Sequence, residues 1–258
     1  MKGKRRLDLV LVERGLAPSR AKAQALILAG QVRVDGVLVD KPGAAVSPAA
    51  HIELLSSPRY VSRGGEKLAA ALQAFGIDPT GKVCLDIGAS TGGFTDCLLQ
   101  HGARKVYAVD VGRGLLHWKL RNDPRVVVKE GLNARYLRFE DIGEEVDLVT
   151  IDVSFISLRL ILPRLSGLVR PDGVVLPLVK PQFEAGRAKV KKGVVRESQI
   201  HRDVLESLAK FVEEELNWSV ADSVPSPLLG PKGNREFFLQ ILPRPGLGKG
   251  LPWEKLGL

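Results

Sequence analysis

The chain has 258 residues, 45% of them hydrophobic, two cysteines and a formal net charge of +9. Such a composition can bury one or two cores and excludes a disordered chain, while two cysteines without a Cys-x-x-Cys spacing exclude a disulfide framework. The charge favours an acidic partner, either nucleic acid or an anionic membrane surface.

The chain opens with "MKGKRRLDLV", which is basic but lacks the apolar stretch and cleavage site of a signal peptide. Leu7, Val10 and Leu11 follow at helical spacing, up to Gly15. A second helix is predicted in "SRAKAQALILAG", with Ser19 as N-cap, Ala23, Leu26 and Ile27 as its apolar stripe, and Gly30 at its end. "QVRVDGVLVDKPG" reads as a hairpin, and Asp35-Gly36 is a type I′ turn signal. Helix, helix and hairpin, with "SRAKAQALILAGQVRVDG", resemble the S4 RNA-binding domain, here over residues 1–55. The resemblance implies RNA contact by Arg5, Arg6, Arg20, Lys22 and Arg33. Five cations on one small domain can neutralise several phosphates. Ser, Pro and paired Gly predict a flexible linker over 56–65, whose Arg59 and Arg63 are further candidates for RNA contact.

Residues 66–258 alternate strand and helix. "KVCLDIG", "KVYAVDV", "RVVVKEG", "VDLVTIDVSF" and "GVVLPLVK" read as strands one to five. "GFTDCLLQHG" follows strand one as a helix, "LRLILPRLSGLV" follows strand four, and "SQIHRDVLESLAKFVEEEL" is a long amphipathic helix after strand five. "WSVADSV" and "REFFLQIL" close the domain as antiparallel neighbours. The fold class predicted is α/β. It is the Rossmann-like sheet of class I methyltransferases, seven strands with one antiparallel, preceded by a small α+β domain.

Strand one runs into "DIGASTGGFTD". In open α/β sheets the ligand lies beyond the carboxyl ends of the strands. Asp86 there would repel a pyrophosphate and attract the ammonium and sulfonium of S-adenosylmethionine. Gly88, Gly92 and Gly93 let backbone approach a ligand, and Ser90 and Phe94 belong to the same candidate cofactor stretch. Asp110 ends strand two, where an acid can take both ribose hydroxyls. Ribose binding alone fits NAD equally well, but the loop is not Gly-x-Gly-x-x-Gly. No Gly-Lys-Ser/Thr follows, so it is not a P-loop. Asn133, just after strand three, is expected at the adenine.

The sequence also narrows the methylated atom. Strand four ends "IDVSF" without the paired prolines of amino methylation. C5 methylation needs a cysteine nucleophile, whereas Cys84 lies in strand one and Cys97 on the next helix, both read as core. Lys67 opens the first helix of the domain, Asp152 ends strand four, Lys180 ends strand five and Glu236 begins the last strand. Such a set suits deprotonation of a ribose 2′-hydroxyl. A lysine base must be neutral, which burial and a second cation favour and nearby acids oppose.

The domain resembles the FtsJ/RrmJ class of ribose 2′-O-methyltransferases, whose Lys-Asp-Lys-Glu tetrad is matched by Lys67, Asp152, Lys180 and Glu236. With the S4-like domain in front, and "VSRGGEKL", "DIGASTGGFTD", "LVKPQFEAGR" and "GPKGNREFF" in order, the whole chain resembles the TlyA family. The resemblance implies S-adenosylmethionine-dependent 2′-O-methylation of cytidine in ribosomal RNA, with free rRNA or ribosomal subunits as partner. Lys180 is the expected base. The Gly- and Pro-rich end, "PRPGLGKGLPWEKLGL", predicts no full extra helix, which makes 23S rRNA the expected substrate and leaves 16S open. After strand five, Arg187, Lys189, Lys191, Lys192 and Arg196 are expected as an RNA clamp.

Two other classes compete. One is a membrane-active haemolysin, a name that members of the family also carry. The other is an S4-type ribosome-binding or assembly factor without catalysis. No apolar run approaches the ~18 residues of a membrane span, so no membrane contact and a cytoplasmic location are expected. His51, His101, His117 and His201 have no metal-ligand spacing, so no metal is expected. The oligomeric state stays open.

Overall fold

The computed structural model describes residues 4–28, 30–55, 59–186, 189–248 and 250–258, and of Pro231 the backbone only. Two units divide the chain, Met1–Arg59 and Tyr60–Leu258.

In the first unit β1 (Arg5–Arg6) runs directly into α1 (Leu7–Glu13), and α2 (Arg20–Leu28) follows. Ser19 Oγ accepts from Lys22 N at 3.3 Å at the start of α2. β2 (Val32–Val34) and β3 (Val37–Leu38) form the hairpin, and Asp35 and Gly36 take φ of 51° and 80° at its turn. Positive φ at both positions is what a type I′ turn requires. β4 (Ala45–Val46) pairs antiparallel with β1, and β5 (Ile52–Leu54) with β2. Leu7, Leu11, Ala23, Ile27 and Val32 form the centre of a small core.

The second unit begins with α3 (Gly64–Phe75), β6 (Val83–Ile87), α4 (Gly93–Gln100) and β7 (Lys105–Asp110). It continues with α5 (Trp118–Arg121), β8 (Val126–Glu130), α6 (Phe139–Ile142) and β9 (Val146–Ile151). β10 (Val169–Val179), α7 (Pro181–Glu184) and α8 (Ser198–Glu214) follow, then β11 (Ser219–Pro225), β12 (Phe237–Leu242) and the single turn α9 (Trp253–Leu256). The sheet has seven strands in the order β11-β12-β10-β9-β6-β7-β8. β12 is antiparallel to both neighbours and the other pairs are parallel, as the sequence predicts. Side chains alternate between the two faces. Leu85, Ile87 and Phe237 join one apolar cluster, while Cys84, Val106 and Phe238 join the other.

Register brings the strand ends level. Ile87 of β6 is paired with Val109 of β7 and Ile151 of β9, and Ile151 with Pro177 of β10. The segments that follow these strands, carrying Gly88, Asp110, Asp152 and Lys180, therefore emerge on one edge.

Two expectations are corrected. "LRLILPRLSGLV" is not an α-helix but two 3₁₀ turns, Leu158–Leu160 and Leu162–Leu165. Pro163 has no N–H and blocks an uninterrupted helical ladder there. The paired glycines of the predicted linker belong to α3 instead. Tyr60 is buried, and a Cβ on Gly65 would lie 2.2 Å from Tyr60 Cγ, so that glycine serves close packing rather than flexibility. Residues 56–58 of that linker lie outside the described residues.

Candidate active site

The loop after β6 is shaped by contacts beneath it. Gly88 has φ +83°, and a Cβ there would fall 2.4 Å from the Asp152 carbonyl oxygen. Gly92 has φ +96°, and a Cβ would fall 2.2 Å from Leu120 Cδ1. Only glycine permits both the conformation and the approach. A Cβ on Gly93 would meet Ser62 Oγ at 2.2 Å, so this glycine lets α4 pack close to the entry of α3.

Asp86, expected at the cofactor, faces inward beneath the loop. It is fully buried, and its carboxylate accepts from Thr95 Oγ1 at 2.7 Å and Thr150 Oγ1 at 3.1 Å. Burial pushes its carboxyl up to about 7 against the opposing pull of those two hydroxyls. It fastens the loop from below.

Asp110 does reach the site edge. Its two oxygens accept from Ser90 N at 2.8 Å and Gly112 N at 2.7 Å. It lines a cleft of about 340 Å³ together with Val109, Leu115, Leu132, Asn133 and Ile156. Asn133 Oδ1 accepts from Arg135 N at 3.0 Å and caps the turn that closes this cleft. Apolar walls with a carboxylate at the strand end offer what a purine and a ribose diol need.

A second cavity, about 320 Å³, shares Gly88, Ser90, Asp152 and Ser154 with the first. Lys67, Asp152, Lys180 and Glu236 all line it, with Phe94 and Arg63. Lys67 Nζ donates to Glu236 Oε2 at 2.6 Å, and Lys180 Nζ lies 2.6 Å from Asp152 Oδ1. The lysine side chains are only 12% and 10% exposed, so both ion pairs are largely shielded from water. Shielded charges interact strongly, and losing one partner leaves the other costly. Cys84 and Cys97 are fully buried, and burial pushes the Cys84 thiol up to about 12, so neither is a nucleophile for this cavity. Among the described residues no cluster of side chains could hold a metal ion.

The FtsJ-like methyltransferase family model matches residues 60–241, and the S4 domain model matches residues 5–52. Over 239 residues, 92% of this chain and 89% of the other, the chain is 50% identical to the 16S/23S rRNA (cytidine-2'-O)-methyltransferase TlyA of Mycobacterium tuberculosis strain H37Rv. The chain belongs to the TlyA family of FtsJ-like methyltransferases. A further TlyA-family relative is Hemolysin A of Brachyspira hyodysenteriae, 43% identical over 92% of this chain and 99% of that one. The solved structure of a Streptococcus thermophilus protein named for haemolysin superimposes with a TM-score of 0.72 at 44% identity, covering 93% of this chain and 89% of that chain. Among the described residues of this TlyA-family chain, no helix is long and apolar enough to cross a membrane.

The candidate RNA-binding cations divide into engaged and open ones. Asp8 is fully buried in the first unit and accepts from Arg6 Nε and Nη2 at 3.0 and 2.9 Å, Arg20 Nε at 3.0 Å and Gln24 Nε2 at 3.0 Å. The Arg6 hydrogen bonds, above all, hold the Asp8 carboxyl far below the usual range. Arg5 pairs with Glu13. Lys22 and Arg33 are exposed and have no ion pair among the described residues. In the second unit Arg63 lines the lysine cavity. Lys189, Lys191, Lys192 and Arg196 gather around a cavity of about 380 Å³, with Lys189 paired to Asp203 and Lys191 to Glu197. Arg59 is exposed. Arg187 lies outside the described residues.

Three residues escaped the sequence reading. Asp8 belongs to no predicted motif. Ser154 Oγ accepts from Lys180 Nζ at 3.0 Å; its spacing of two from Asp152 was the available signal. Glu184 is half-buried and accepts from Ser157 Oγ at 2.6 Å and Leu158 N at 2.8 Å, and burial pushes its carboxyl up. It ties the segment after Asp152 to the helix after Lys180, a link that no local pattern announces.

Proposed function

We propose that this chain methylates the ribose 2′-hydroxyl of a cytidine in ribosomal RNA, using S-adenosylmethionine. The observation that carries the reading is the convergence of Lys67, Asp152, Lys180 and Glu236 on one cavity that adjoins an apolar, carboxylate-edged cleft. The names of the relatives support the substrate. Asp110, Asn133 and the Gly88–Gly93 loop hold the cofactor, which when bound supplies an electrophilic methyl group on a sulfonium.

Lys180 accepts the proton of the ribose 2′-hydroxyl. Asp152 orients it and stabilises the ammonium that results, and Ser154 fixes the direction of Nζ. Lys67, held by Glu236, places a second positive charge where the alkoxide develops. The open cations of the S4 unit and the clamp after β10 grip phosphates. A cytoplasmic location accords with a ribosomal substrate.

Transfer of labelled methyl to free rRNA, to 30S and to 50S particles, followed by nucleoside analysis, tests the reading. The expected product is 2′-O-methylcytidine in 23S rRNA. Label in 16S rRNA as well would extend the substrate range. Binding to ribosomal particles without any transfer would replace catalysis by an assembly role.

A further inference from the structure

A third cavity, about 550 Å³, adjoins the carboxylate-edged cleft, with which it shares Phe155 and Ile156, and is lined also by Ser157, Gln182 and Phe183. Its position ties it to the reaction. Phe155 follows Ser154, the partner of Lys180 Nζ, and Gln182 stands two residues after Lys180. Phe155 is unusual in two ways: it is 90% exposed, and its φ is +65°. A left-handed backbone is strained for a bulky residue, and an exposed ring forgoes burial. Among the described residues its aromatic neighbour is Phe183, at 5.0 Å between centroids and 50° between planes, which leaves the rest of the ring open. Glu184 pins the turn through Ser157 and Leu158, so the ring stands on a fixed support.

Gln182 supplies the polar element. Its Oε1 is buried and has no hydrogen-bond partner among the described residues. A buried acceptor left unmatched is costly, so a donor from outside the chain is the simplest completion. We infer that this pocket receives the base of the nucleotide being methylated, and that Gln182 selects an exocyclic amine there, hence cytosine over uracil. The inference rests on the methyl-transfer reading above. Stacking on Phe155 holds any base, because every base has a π-face. Selection needs the amide. The cytosine 4-amino group donates to Oε1, whereas uracil O4 is an acceptor and would face it lone pair to lone pair.

The test uses the full-length protein and the RNA fragment that accepts methyl, with C or U at the target position. Wild type should show higher kcat/KM for C. Gln182→Ala should reduce the C-to-U ratio by about tenfold or more, chiefly through slower reaction of C. Gln182→Met, similar in length and apolar, should do the same and guards against a packing defect. Phe155→Ala should lower kcat/KM for both RNAs and keep the ratio. An unchanged ratio in Gln182→Met, with cofactor binding intact by calorimetry, would overturn the inference and leave the reaction standing. Failure of wild type to methylate either RNA would remove the methyl-transfer reading and the inference with it.

Discussion

Lys67 Nζ lies 2.6 Å from Glu236 Oε2 although 169 residues separate the two in the chain. One stands in the first turn of α3, the other just before β12. The backbone at Gly230 is pressed against the same carboxylate, since a Cβ there would fall 2.0 Å from Glu236 Oε1. Glu236→Ala strips a buried lysine of its partner and should lower unfolding free energy by roughly 3–5 kcal/mol. Urea titration of both proteins measures it. A loss below roughly 1 kcal/mol would mean that Lys67 finds another anion or water.

Lys180→Ala should leave cofactor and RNA affinity near wild type while single-turnover transfer slows by ~10²–10⁴-fold, the usual range when a general base is removed. Lys180→Arg should not restore the rate, because arginine stays charged and cannot accept a proton. Near-normal transfer by Lys180→Arg would assign the residue to charge stabilisation instead.

Asp110→Ala removes the acceptor for Ser90 N and Gly112 N as well as the expected ribose hydrogen bonds. Hydrogen bonds to a charged group are worth about 1.5–3 kcal/mol each, so cofactor affinity should fall at least about tenfold. Calorimetric titration of the folded variant decides it. Unchanged affinity would move the ribose elsewhere.

The buried Asp86 makes a prediction about pH. In the unfolded chain its carboxyl titrates near the ordinary value of ~4. In the folded protein it is pushed up to about 7. Below both values each state holds the proton. Between them the unfolded chain releases it and the folded chain keeps it, so this group's contribution to stability declines as pH rises and levels off above about 7. Asp86→Asn lacks that decline. The variant's unfolding free energy minus that of wild type should therefore climb across the window from about 4 to 7. A difference independent of pH would show that the carboxyl is not shifted.

The open and engaged cations of the first unit should behave differently. Lys22→Ala and Arg33→Ala should weaken RNA binding, each lowering the log–log salt slope by ~0.7–0.9 for every phosphate that is no longer neutralised, with no change in melting. Arg20→Ala takes a partner from buried Asp8 and should also lower the melting temperature of that unit. Equal salt slopes in Lys22→Ala, Arg33→Ala and wild type would place the RNA on another face.

Much of this molecule was legible in its sequence because the signals are local or ordered along the chain. The β/α alternation follows from apolar periodicity, and the hairpin from Asp35-Gly36, whose backbone preference is intrinsic. Lys67, Asp152, Lys180 and Glu236 stood out because each falls at the end of a predicted element. Burial and register were not legible. Whether Asp86 faces a ligand or Thr95 and Thr150 depends on what packs beneath the strand. Whether Arg20 is open to RNA depends on a carboxylate twelve residues earlier. Gly64 and Gly65 resembled a hinge because close packing and flexibility select the same residue. Periodicity in the segment after β9 outweighed Pro163, whose missing N–H then decided in favour of 3₁₀ turns. The pairing of Lys67 with Glu236 and of Lys180 with Asp152 is likewise a property of the assembled sheet: strand order and level strand ends set which charges meet, and exclusion of water makes the meeting matter.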